Sequence, residues 1–212
     1  MVTVPEKITN GPWNGVNPPI FPSGKIYIPP QLITTSLTHT TTATRLYYVP
    51  FYVPRTTTFA GAKTYNQGAG DNGETLRIGM YAEAAAGGPG ALLKDFGEIT
   101  LTAAAALRTL ASSVTVVGAR WVYLCLHANS AMAMYSMTPR TSGAGTEPSF
   151  AAPLSFAFGT YNLNATALYY NSTPACDYVD TAYGALAATA VAPTATLYAA
   201  GGAEMPVFSL YV

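Results

Sequence analysis

The 212 residues suit one sandwich- or barrel-sized domain with an appendage, and half of them are apolar, enough for a full core. Only 9% are charged, against about 25% in an ordinary soluble domain, and ten basic side chains cancel ten acidic ones. This excludes a nucleic-acid surface, which needs clustered Lys and Arg, and describes an exterior suited to being covered by other subunits.

No apolar run approaches the ~18 residues that cross a bilayer, so no membrane insertion is expected. The opening Met1-Val-Thr-Val-Pro-Glu-Lys7 lacks the basic and apolar regions of a secretory leader, and synthesis in a cytoplasm is the expectation. Cys125 and Cys176 then default to free thiols, with Cys125 a small buried hydrophobe inside a strand pattern.

Residues 1–40 read as an extended N-terminal arm and 41–212 as the folded domain. Pro5, Pro12, Pro18, Pro19, Pro22, Pro29 and Pro30 interrupt any helix there and remove ladder donors from any central strand. Trp13, Ile20, Phe21, Ile26, Tyr27 and Ile28 are apolar anchors spaced along the arm, suited to docking in a groove of a partner. The alternative is that the arm folds back over its own domain.

Strand signals follow the Thr-rich stretch 34–44. Arg45 to Val53 is aromatic and β-branched, with Pro50 implying an edge or bulge, and Thr56 to Tyr65 is a second strand. After a Gly-rich turn at 68–73, Leu76, Ile78 and Met80 alternate with Arg77, Gly79 and Tyr81. Gly87-Gly-Pro-Gly90 turns into a strand from Ala91 to Leu101. Thr102 to Ala111 reads either as an Ala-rich helix or as a small-residue strand. Val114 to Val117 and Arg120 to Ala128 are strands, the latter apolar on both faces, and Ala131 to Met137 is expected to complete a hairpin. Residues 139–153 are a loop, the pattern then loosens, and Met205 to Val212 closes the chain as a strand. Many short strands with at most one helix give an all-β, antiparallel two-sheet sandwich carried on a Pro-rich arm.

The run Leu46-Tyr-Tyr-Val-Pro-Phe-Tyr-Val-Pro-Arg-Thr-Thr-Thr-Phe59 resembles the opening of a jelly-roll-like module of tailed-bacteriophage tail-fibre and head-fibre proteins. Arg77-Ile-Gly-Met-Tyr81, Gly88-Pro-Gly-Ala-Leu-Leu-Lys-Asp-Phe-Gly97 and Gly118-Ala-Arg-Trp-Val-Tyr-Leu124 follow in that module's order. The likeness spans about residues 45–138. It implies a jelly-roll-like fold, location in the virion and assembly as a homotrimer. The chain lacks the shaft or catalytic spike domain that often accompanies the module, which favours a short spike, decoration or adaptor subunit bound to other virion proteins of the capsid or tail.

The residues supply little for catalysis, and no catalytic, cofactor or metal residue is assigned. His39 and His127 are the only histidines and have no second ligand at a binding spacing. Asp71-Asn-Gly-Glu74 lacks the alternating oxygens of a calcium loop. Glycan hydrolysis needs two facing carboxylates. Asp95 and Glu98, three apart on a strand, point to opposite faces unless a bulge intervenes, while Asp177 and Asp180 lie in a looser segment. Fifteen tyrosines are the remaining functional feature. Tyr161, Tyr169, Tyr170, Tyr178 and Tyr183 are the candidates for a subunit interface or for stacking on a host-surface glycan. A virion attachment subunit is thus the leading expectation, a glycan-binding module the alternative, and a depolymerase or esterase the third.

Overall fold

The computed structural model describes residues 26–27, 33–68, 72–139, 174–198, 205–206 and 208–212. These residues form strands and connections and include no helix. In chain order the strands are β1 (Ile26–Tyr27), β2 (Ile33–Thr40), β3 (Arg45–Val53), β4 (Thr57–Asn66), β5 (Thr75–Glu83), β6 (Pro89–Thr100) and β7 (Ala106–Val116). They continue with β8 (Arg120–Ala128), β9 (Ala133–Pro139), β10 (Pro174–Asp180), β11 (Ala195–Tyr198), β12 (Met205–Pro206) and β13 (Phe208–Tyr211).

Two antiparallel sheets pack face to face as a β-sandwich. One, here called the strapped sheet, has the order β11-β10-β3-β8-β5-β6. The open sheet has the path β1-β13-β4-β9-β12, with β7 added to β4 and β2 to β9. From β3 to β9 the chain changes sheet at every connection except the β5–β6 hairpin, giving a jelly-roll-like order.

The alternation read in the sequence explains which side of each strand is inside. Leu76, Ile78 and Met80 of β5 and Val122, Leu124 and Leu126 of β8 are buried against Val49, Phe51 and Val53 of β3. Phe59 of β4 answers from the open sheet, its ring edge-on to Phe51 with centroids 6.2 Å apart. Each such side chain, fully withdrawn from water, contributes about 1.5–3 kcal/mol.

Three details differ from the sequence reading or resolve it. The residues at 131–137 do not return along β8. As β9 they cross to the open sheet and pair with β2, from Ser36↔Met137 to Thr40↔Ala133. A local pattern gives the period of a strand but not its neighbour. The Ala-rich segment is a strand from Ala106 onward, because pairing along β4, Asn66↔Ala106 to Thr57↔Val116, outweighs alanine's helical preference. Ile26–Tyr27 pairs with β13 and Ile33–Thr40 with β9, so this part of the 1–40 segment belongs to the open sheet. Trp13, Ile20, Phe21 and Ile28 lie outside the described residues. Pro50 sits beyond Tyr48, the last β3 residue paired with β10, so among the described residues β3 is one-sided where the proline falls.

Candidate binding surface

The outward side of the strapped sheet is the chemically richest region among the described residues. Because β3, β5 and β8 are apolar on both faces, their outward positions form a second buried layer of Leu46, Tyr48, Tyr81, Tyr123, Cys125 and Val179. A non-sheet segment, residues 181–194, leaves β10, crosses this layer and returns to β11, pressing Leu186 into it. Gly79 is required beneath it, since a Cβ there would lie 2.1 Å from Leu186 Cδ1 and 3.0 Å from Cys125 Sγ.

The crossing strap is fixed by backbone acceptors and donors. Tyr81 donates its hydroxyl to the Ala187 carbonyl and Tyr48 to that of Val191, each at 3.1 Å. Leu92 N–H donates to Ala188 O and Ala190 N–H to Gly90 O, so the strap also pairs briefly with β6. Tyr123 accepts from Gly88 N–H at 3.1 Å. Burial holds the Tyr48 and Tyr81 phenols far above their usual range and pushes Tyr123 up to about 12, so these groups stay protonated. Cys125 is a free, fully buried thiol whose pKa is raised by the same desolvation.

At the strap's first turn the layer becomes polar. Arg77 donates to Asp95 at 2.7 Å and to Glu98 at 3.5 Å. The two carboxylates converge because the β5–β6 register slips between Ile78↔Gly97 and Gly79↔Asp95, supplying the bulge their spacing needs. They are thus spent on one guanidinium rather than facing each other across a gap. Tyr183 donates to Glu98 Oε2 at 2.8 Å and packs tilted against His127, with centroids 5.0 Å apart and the rings at 53°. The His127 ring is buried, with Nε2 3.3 Å from the Thr181 carbonyl, and desolvation lowers its pKa below the ordinary value. The pKa of Tyr183 rises to about 12, first through desolvation.

The sequence-selected tyrosines do not gather into one patch here. Tyr183 is on the outward side of the strapped sheet. Tyr178 packs against the core between the sheets and lies beneath Arg45, whose guanidinium carbon is 3.9 Å from its ring centroid. Arg45 also forms a two-pronged pair with Asp180 at 2.8 and 3.2 Å. Asp177, opposite Tyr48, and Asp180, opposite Arg45, lie on opposite faces of β10. Tyr161, Tyr169 and Tyr170 lie outside the described residues. His39 is on β2 in the open sheet and His127 on β8 in the strapped one. Among the described residues, no group of three or more His, Cys, Asp or Glu is placed to hold a metal ion.

Sequence reasoning missed the buried tyrosines of β3, β5 and β8 as a set, although the signal was present: strands apolar on both faces need a cover on each. Comparisons with protein-family models, with curated proteins and with solved structures return no match to this chain.

Proposed function

We propose that this chain is a structural and attachment subunit of a tailed-phage virion: a head or tail fibre, spike, decoration or adaptor protein. Its N-terminal arm docks on capsid or tail proteins, and its sandwich projects from the particle and works by binding rather than by chemistry. One observation carries the reading. The residue runs that resemble the phage module fall on β3, β5, β6 and β8, four neighbouring strands of the strapped sheet, with the Thr-Phe end of the first run opening β4 of the facing sheet. The scarcity of charge supports it, since such a surface suits contact with other subunits.

The test is the protein content of purified particles. The chain is expected in them at a fixed ratio to the capsid protein, with incorporation falling for Trp13→Ala combined with Phe21→Ala. Its absence from purified particles defeats the proposal, and release of reducing sugar from host polysaccharide by the pure chain defeats its non-catalytic part.

A further inference from the structure

We infer that the first turn of the strap, residues 181–186, is a latch that acid opens: it lids His127, and protonation of that ring lifts it from the sheet. The inference goes beyond the function proposed above and does not depend on it.

The two halves of the strap are held by different means. From Ala187 onward it is riveted to the sheet. The Tyr81 and Tyr48 hydroxyls donate to Ala187 O and Val191 O, Ala190 N–H donates to Gly90 O, and Thr194 N–H to Tyr178 O. Residues 181–186 rest on Thr181 N–H donating to Thr44 O at 2.9 Å, on the Tyr183 hydroxyl at Glu98, and on Leu186 seated over Gly79. Gly184 lies between these contacts, where a Cβ would meet nothing within 4 Å, and it lends the turn backbone freedom.

His127 is what this turn covers. The residue is 3% exposed, with the Tyr183 ring centroid at 5.0 Å and the Thr181 carbonyl 3.3 Å from Nε2, so the latch itself supplies its roof. Its neighbours along the sheet are Leu46 of β3 and Arg77 of β5. The charged and titratable groups facing it are therefore the Arg77 guanidinium, the Asp95 and Glu98 carboxylates of β6 that pair with that guanidinium, and the protonated Tyr183 phenol. Arg45 and Asp180, next in sequence to Leu46 and Thr181, pair with one another.

A charged imidazole in this place would give up its hydration beside a cation whose carboxylates are already engaged. Burial first, with Arg77 adding to it, holds the ring neutral against the pull of the Thr181 and Thr44 carbonyls. Raising the latch returns the ring to water, where imidazole titrates at about 6.5. Below that pH each opening takes up a proton, so the open population grows as pH falls.

The test is hydrogen exchange of the Thr181 amide in the full chain at pH of about 7.5 and about 5.5, each rate divided by that of the unfolded chain at the same pH. Thr181 should be at least about tenfold less protected than the amides of β8, and dilute urea should hardly change it, because the lift exposes little surface. Its protection should fall by about threefold or more between the two pH values. The fall should disappear in His127→Gln and persist in Glu98→Gln, which keeps an acceptor for Tyr183. Should His127→Gln fail to fold, the unmodified chain and Glu98→Gln still decide. Thr181 exchange that matches β8, protection indifferent to pH in the unmodified chain, or a fall that survives His127→Gln or vanishes in Glu98→Gln, overturns the inference.

Discussion

The outward sides of the two sheets solve the same problem differently. The strapped sheet places Tyr48, Tyr81, Tyr123 and Cys125 outside the main core and covers them with residues of the same chain. The open sheet, along β4 and β7, carries threonines, small side chains and the exposed Leu107, with Lys63 lying 4.5 Å from the Tyr211 ring centroid. A chain with so little charge has few means of keeping surfaces wet and separate. It closes the bulky aromatic side itself, whereas the side of smaller residues carries no comparable strap among the described residues.

The largest expected effect strikes the open sheet. At Gly61 a Cβ would lie 2.0 Å from the Leu110 carbonyl oxygen and 2.8 Å from the Tyr211 ring, and a backbone oxygen held in a ladder cannot step aside. Gly61→Ala should cost about 3 kcal/mol in a urea titration. A cost near zero would mean that β7 is held more loosely than described.

Removing the strap's anchor comes next. Leu186→Ala should cost about 2 kcal/mol and admit limited proteolysis within 181–194. Gly79→Ala, which crowds Leu186 Cδ1, should be destabilising alone and nearly silent when combined with Leu186→Ala. Additive costs would show that the two do not press on one another.

A smaller effect is expected from acid. Burial lowers the folded pKa of His127 below the unfolded value of about 6.5, so below that pH the unfolded chain binds a proton that the folded chain refuses. Stability should be full above it and fall as pH drops from there toward the folded pKa. His127→Gln should flatten this part of a stability–pH curve, and an unchanged curve would place the ring in water. The smallest effect belongs to the exposed ion pair at the sheet margin. Asp180, more than half exposed, has its pKa lowered first by the Arg45 hydrogen bonds. Asp180→Asn should cost no more than about 0.5 kcal/mol, vanishing in high salt.

Much of the sandwich was legible from period alone. Leu76-Arg-Ile-Gly-Met-Tyr81 and Val122 to Leu126 announce their strands and inner faces because side chains alternate with the pleat. The partner of a strand is not written in its own pattern, which is why Ala131 to Met137 read as a hairpin yet lies in the other sheet. The strap was illegible for a related reason. Residues 181–194 are small and irregular, and their role comes from what lies beneath them, Tyr48, Tyr81 and Gly79, far away in sequence. The meeting of Asp95 and Glu98 hinged on a bulge that spacing could only state as a condition. Of the selected tyrosines, Tyr178 and Tyr183 were visible as aromatic side chains but not as members of opposite faces, since that depends on how β10 is laid against β3.

Cys125, sealed under Leu186, has a consequence for kinetics. Alkylation requires an accessible thiolate, and this thiol is both shut away and held protonated. In a Cys176→Ser background, the rate at which a maleimide consumes the thiol would therefore read how often the layer above it lifts. Cys125 thus serves as a clock for local opening that the fold itself supplies.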